Sequence, residues 1–113
     1  MVTHCGHGTA IKAMCAGVPA VCMPMGRDQN DTAARIVARG AGARLSPKAR
    51  APKIARALER VLAEPAFREG AQALGAKIRA GLAARDPADV VLDLLRPKRE
   101  ASESGVASAA ARC

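Results

Sequence analysis

The segment His4-Cys5-Gly6-His7-Gly8-Thr9 contains residue types that are suited to binding a diphosphate. Gly6 and Gly8 lie where a strand ends and a helix begins, so a ligand can approach the free backbone N–H groups of the first helical turn. Thr9 adds a hydroxyl donor and His4 adds an imidazole at the strand end. Glycine-rich turns of this kind also occur purely for tight packing, so the segment alone leaves both interpretations open.

A metal site is an alternative interpretation of the same residues. His4, Cys5 and His7 carry donor atoms, but a zinc site built on ligands so close together needs a distant second pair. The chain contains two His in all, so the sequence favours the phosphate interpretation and predicts no metal.

A second polar segment, Asp28-Gln29, follows the next predicted strand in the way that His4 follows the first. In an open parallel sheet, ligands bind outside the carboxyl ends of the strands, so both segments are expected to open onto one crevice. A carboxylate beside a carboxamide can accept and donate hydrogen bonds to a hydroxyl-rich ligand. The alternative is that Asp28 or Asn30 is an ordinary helix cap.

The elements that must position these segments alternate between strand and helix. The predicted order is a strand end at 1–3, a helix at 8–16, a buried strand at 20–23, a helix at 31–39 and a short strand at 42–45. The continuous apolarity of the second strand indicates a strand covered on both faces, as in a parallel sheet. The pattern predicts an α/β fold with a partial Rossmann-like sheet of about three short strands.

The remainder of the chain is predicted to be helical up to Pro97. Three apolar stripes indicate three helices; their predicted inward-facing residues are Ile54, Leu58, Val61 and Leu62, then Phe67, Ala71, Leu74, Ile78 and Leu82, then Val90, Val91, Leu94 and Leu95. Asp86-Pro87 predicts the cap and first residue of the last helix. Residues 97–113 are predicted to be a disordered tail.

Composition narrows the classes of partner. The formal net charge is +8, but no aromatic residues are interspersed among the Arg-rich residues 44–60 to stack on bases, so nucleic acid is not expected as a partner. The four cysteines, Cys5, Cys15, Cys22 and Cys113, form no CxxC pair and indicate reduced thiols in a cytoplasmic compartment. No leader and no apolar run of about 18 residues is seen, so neither secretion nor a membrane span is predicted.

Taken in order, these motifs resemble the donor-binding signature of the inverting UDP- or dTDP-sugar-dependent glycosyltransferases of the two-domain GT-B fold, which include plant natural-product and bacterial macrolide enzymes. The matching residues are His4-Cys5-Gly6-His7-Gly8-Thr9, then Gly17-Val18-Pro19, Pro24, Asp28-Gln29 and the following Asn30–Arg35. The resemblance covers residues 1–82 and implies the C-terminal half of such a fold. Residues 1–96 are accordingly expected to form an N-terminally truncated donor-binding half-domain.

The resemblance also implies roles for individual residues. His4, Gly6, Gly8 and Thr9 would bind the donor diphosphate, while Asp28 and Gln29 would hold hydroxyls of the transferred sugar. The nucleotide sugar is the co-substrate, and neither a metal nor an organic cofactor is implied. The family usually has an acidic residue that binds the ribose where this chain has Lys12, a side chain better suited to phosphate.

The family's acceptor-binding domain, with its catalytic His and Asp, has no counterpart in this sequence. The isolated chain is therefore expected to contain no catalytic residue, to be inactive in hexosyl transfer, and to self-associate through an unpaired sheet edge and bare helix faces. The alternative is a non-catalytic remnant or a basic interaction module that binds a nucleotide, phosphate or protein partner.

Overall fold

Strands and helices alternate through the first half of the chain in the computed structural model, which describes residues 1–84 and 86–97. The elements in order are β1 (Val2–Thr3), α1 (His7–Cys15), β2 (Ala20–Cys22), α2 (Gln29–Ala38), β3 (Gly42–Arg44), α3 (Ala51–Ala63), α4 (Pro65–Ala84) and α5 (Pro87–Leu95). The predicted α/β alternation is confirmed. The largest boundary difference is at α2, which begins two residues before the predicted helix.

The three strands form one parallel sheet in the order β1-β2-β3. Thr3 pairs with Cys22, and Cys22 pairs with Arg44. The carboxyl ends of all three strands therefore meet at one edge of the sheet, and the loops that follow them leave from that edge. This arrangement places the two polar segments of the sequence next to each other along the sheet.

The sheet is covered on both faces, which explains the continuous apolar run in β2. Ala20 and Cys22 belong to one buried cluster, whose other principal members are Cys5, Ala10, Ala13, Met14, Ala33, Ile36, Ala41 and Ala71. Val21 belongs to a second cluster with Val61 and Phe67. Because successive side chains of a strand point to opposite faces, this three-residue strand contributes to both clusters.

Helix α4 packs closely against the ends of α1 and α2. A Cβ atom at Gly75 would overlap the Met14 carbonyl oxygen, and one at Gly70 would overlap the Gly40 carbonyl oxygen. The Arg79 guanidinium donates a hydrogen bond to the Cys15 carbonyl oxygen, where a cation is favoured by the helix dipole. The close approach therefore depends on two small residues of α4 and is supported by a charged hydrogen bond.

The chain divides into two compact units, residues 1–83 and 84–113. In the second unit, the Asp86 side chain accepts a hydrogen bond from the Ala88 N–H at 2.8 Å, so the predicted cap of α5 is confirmed. Of the predicted tail, Pro97 is described and residues 98–113 lie outside the described residues. Among the described residues, none of the helices is both long and apolar enough to cross a membrane.

Several residues that were predicted to face inward are exposed. The exposed fractions are 73% for Leu62, 63% for Leu82, 55% for Val91, 80% for Leu94 and 74% for Leu95. The periodicity correctly identified the helices, but it does not say whether a second apolar surface lies opposite each stripe. Self-association stays a prediction, and the exposed apolar side chains within each unit would support it.

Candidate functional site

The first loop of the site follows β1, and a buried cysteine fixes it. Cys5 is fully buried although its neighbours His4 and Gly6 are not, and its backbone is left-handed with φ of 64°. The Cys5 N–H donates a hydrogen bond to Thr3 Oγ1 at 3.1 Å. A non-glycine residue in this conformation costs on the order of 1 kcal/mol, so burial and hydrogen bonding must hold the loop in place.

His4 and Gly6 are arranged as a pair in this loop. A Cβ atom at Gly6 would lie 2.8 Å from His4 Nε2, which is closer than such contacts allow. The imidazole therefore lies over the Gly6 backbone, in space that only glycine leaves free. His4 is exposed, so it is available to a ligand at the strand end.

The N-terminus of α1 presents unpaired backbone donors. Gly6 is the N-cap residue and provides no side-chain cap, and the first intrahelical hydrogen bond runs from the Ala10 N–H to the Gly6 carbonyl oxygen at 2.9 Å. The N–H groups of His7, Gly8 and Thr9 precede that bond and have no acceptor within the helix. All three residues are exposed, and the first turn contains no acidic residue. Such a helix end attracts anions.

The second loop follows β2 and ends at Asp28, the N-cap residue of α2. Arg27 is left-handed with φ of 55°, a second non-glycine residue in this conformation beside the site. The Asp28 side chain makes no capping hydrogen bond; its backbone carbonyl oxygen accepts from Thr32 instead. The alternative interpretation of Asp28 as an ordinary capping side chain is therefore wrong. The Asp28 carboxylate is exposed to solvent and is not engaged in capping the helix.

Gln29 has a structural role as well as a candidate binding role. Its Oε1 accepts a hydrogen bond from the Met25 N–H at 2.9 Å, which closes the loop. The amide nitrogen keeps its two N–H donors. Gln29 can therefore donate to a ligand hydroxyl while Asp28 accepts from one, without disturbing the loop.

Sequence reasoning missed the contact between Asn30 and Arg44. The Asn30 side chain does not cap α2; its Oδ1 accepts a hydrogen bond from Arg44 Nη2 at 2.8 Å. The contact joins the first turn of α2 to the end of β3 and so supports the Asp28 loop. No local signal could reveal it, because the two residues are fourteen positions apart and meet only when β2 and β3 pair.

Lys12 lies on α1 but away from the helix N-terminus. It is exposed and stands five residues after His7, about 7.5 Å further along the helix axis at the usual rise per residue. A lysine side chain can extend back towards the first turn, because side chains of a helix tilt towards its N-terminus.

The cysteines near the site are structural. Cys5 and Cys22 are free and fully buried, and Cys15 is free and half-buried. Burial raises the pKa of the Cys22 thiol well above its ordinary value and raises the pKa of Cys5 as well. Both thiols therefore stay protonated at neutral pH and are poor nucleophiles. Cys113 lies outside the described residues.

Similarity to known proteins agrees with this geometry. Residues 1–96 match the family described as the C-terminal domain of erythromycin biosynthesis protein CIII-like proteins. The chain is 35% identical over 98 residues to demethyllactenocin mycarosyltransferase of Streptomyces fradiae, covering 86% of this chain and 21% of the relative. It is 36% identical over 96 residues to 4'-demethylrebeccamycin synthase of Lentzea aerocolonigenes, covering 84% and 22%. The chain thus spans about a fifth of the length of these relatives.

Solved structures show the same relationship in three dimensions. The spinosyn rhamnosyltransferase SpnG aligns with a TM-score of 0.72 at 30% identity, over 84% of this chain and 26% of that one. The glycotransferase of kitacinnamycin aligns with a TM-score of 0.65 at 30% identity, over 70% and 21%. These neighbours confirm the predicted part of a GT-B fold. The chain therefore belongs to the erythromycin biosynthesis protein CIII-like C-terminal domain family of natural-product glycosyltransferases.

Proposed function

We propose that residues 1–96 form a half-domain that binds the diphosphate and sugar of a UDP- or dTDP-sugar donor. The uncapped, exposed N-terminus of α1 beside the His4 imidazole carries this proposal. The N–H groups of His7, Gly8 and Thr9 would bind the phosphate oxygens, with the Thr9 hydroxyl and the imidazole as further donors. Charge-assisted hydrogen bonds of this type are worth about 1.5–3 kcal/mol each.

The sugar would bind over the neighbouring loop. The Asp28 carboxylate makes no capping bond, and the Gln29 amide nitrogen retains its donors, so the two can accept from and donate to adjacent hydroxyls. The loops follow strands that pair directly, which supports one ligand reaching both. Lys12 would assist at the phosphates rather than at the ribose.

The reaction to which this half-domain contributes is inverting hexosyl transfer. A base outside this chain removes a proton from an acceptor hydroxyl, the oxygen attacks the anomeric carbon, and the bond from that carbon to the diphosphate breaks. The donors at α1 stabilise the negative charge that develops on the leaving diphosphate. We propose that the 113-residue chain alone binds the donor without transferring the sugar, and that it works in a reducing, cytoplasmic compartment where its thiols stay free.

Calorimetric titration of the chain with UDP and with UDP-glucose tests the proposal, and dTDP-glucose tests the choice of nucleotide. His4→Ala should lower the affinity for both UDP and UDP-glucose by roughly tenfold or more, because in the proposal the imidazole contacts the diphosphate common to both. Asp28→Asn should lower the affinity for UDP-glucose and leave the affinity for UDP unchanged. The matched control is Asp31→Asn, which removes an exposed carboxylate from the same helix and should change neither affinity.

A folded chain that binds none of these ligands at millimolar concentration would overturn the proposal. If Asp28→Asn and Asp31→Asn changed the affinity for UDP-glucose equally, the second loop would have no specific role in sugar binding. That result would not bear on the proposed diphosphate site. Thermal unfolding of each variant separates lost binding from lost folding.

A further inference from the structure

The loop between β3 and α3 forms an open basic cleft that shares no lining residue with the candidate donor site. Its volume is about 540 Å³. The polar and charged residues that line it are Ser46, Lys48, Arg50, Lys53 and Arg56, and Pro52 also lies in the lining. Four of these are cations, and no Asp or Glu is among the lining residues.

The four cations of the basic cleft are not neutralised within the described part of the chain. All four cations are exposed. The nearby ion pair between Arg60 and Glu64, at 3.2 Å, lies one turn beyond the cleft and involves none of them. The nearest acidic residue of α3, Glu59, does not line the cleft. Four like charges along nine residues repel one another, and an anionic partner would relieve that repulsion.

The backbone of the cleft does not form a compact phosphate cradle. Pro52 has no N–H, the Lys53 N–H donates to the Arg50 carbonyl oxygen at 3.0 Å, and the Lys48 N–H donates to Ser46 Oγ at 3.2 Å. Attraction must therefore come from long, separate side chains instead of converging amides. Spaced cations of this kind match a row of carboxylates better than a single phosphate group.

Nucleic acid fits the cleft less well than an acidic peptide. Binding of single strands usually combines positive charge with aromatic side chains on which bases stack. Phe67 is the single aromatic residue of the whole sequence, and it is buried against Val21 and Val61. The cleft therefore supplies charge without a stacking surface.

We propose that the basic cleft is an interaction surface for an acidic segment of a partner protein. The chemistry of recognition is pairing of Asp and Glu carboxylates with Lys48, Arg50, Lys53 and Arg56. The lining residues of the basic cleft follow β3 and include none of the candidate donor residues, which follow β1 and β2.

Fluorescence anisotropy with a labelled decaglutamate peptide at low salt tests the proposal on the full chain. The variant Arg50→Gln/Lys53→Gln/Arg56→Gln should weaken binding by roughly tenfold, since each exposed ion pair contributes modestly and three are removed together. The matched control is Arg39→Gln/Arg68→Gln/Lys77→Gln, which removes two Arg and one Lys from exposed positions outside the cleft. The control should change the affinity by less than about twofold.

Three outcomes would overturn the proposal. Equal loss in both triple variants would show attraction by net charge alone, and no binding of decaglutamate by the folded chain would show that the cleft takes no acidic segment. Tighter binding of a ten-nucleotide uridine RNA than of decaglutamate, lost in the cleft variant, would assign the cleft to nucleic acid. Circular dichroism melting of each variant verifies that it is folded.

Discussion

The Gln29 side chain accepts a hydrogen bond from the backbone N–H of Met25 through Oε1, at 2.9 Å. One end of the carboxamide is therefore committed to holding the loop, and the other end remains a donor. Substitutions that remove only one of these two groups can therefore separate the role of Gln29 in loop closure from its proposed role in sugar binding. The same approach applies to the other close contacts of this fold.

Gln29→Glu should separate loop closure from sugar binding. Glutamate keeps an oxygen for the Met25 N–H but has no N–H to donate, so the melting temperature should stay near that of the wild type while UDP-glucose affinity falls roughly tenfold. UDP affinity should be unchanged. Gln29→Met removes both groups and should lower the melting temperature as well. Unchanged UDP-glucose affinity in Gln29→Glu would limit Gln29 to a structural role.

Gly6→Ala should act through His4. The new methyl group would collide with His4 Nε2, which is the end of an exposed side chain and can move away at small cost in stability. We expect UDP affinity to fall about as much as in His4→Ala. Calorimetry on the double variant Gly6→Ala/His4→Ala should then show no further loss, since both changes remove the same imidazole contact. Additive losses would mean that Gly6 contributes independently of His4.

Gly75→Ala should destabilise the first unit by about 1–3 kcal/mol, because its Cβ would overlap the Met14 carbonyl oxygen and force α4 away from α1. Gly81→Ala on the same helix is the matched control, since the structure leaves open space there. The control should raise the free energy of unfolding by up to about 1 kcal/mol through helix propensity. Urea denaturation of both variants measures the difference, and equal effects would contradict the close packing of α4.

Stability should fall as the pH rises above about 9. Burial raises the pKa of Cys5 and Cys22 in the folded chain, whereas the thiols of the unfolded chain ionise near 9.0. Above that pH the folded chain binds more protons than the unfolded chain, so the free energy of unfolding decreases by up to about 1.4 kcal/mol per pH unit for each thiol. Below pH 9 this contribution is fully present.

Urea denaturation between pH 8 and pH 10 measures this slope. The variant Cys5→Ala/Cys22→Ala should be less stable overall, because it loses buried volume, but its stability should depend less steeply on pH. An identical slope in the wild type and the double variant would rule out these thiols as its source.

The sequence by itself determined the elements of the fold, and it predicted which residues form the candidate site. Apolar spacing and glycine and proline positions located the helices and strands to within about two residues, because these signals act on local backbone conformation. The order of motifs from His4 to Gln29 also indicated the family, through its resemblance to the donor-binding signature of glycosyltransferases.

Tertiary structure decided what each polar residue does when several local roles are compatible with it. Asp28 and Asn30 both looked like helix caps, yet the Asp28 carboxylate makes no cap and Asn30 binds Arg44 from a neighbouring strand. Likewise, Leu62 belongs to the apolar stripe of α3 but remains exposed. Periodicity reports the conformation of a segment, whereas burial and pairing depend on which surfaces the fold brings opposite one another.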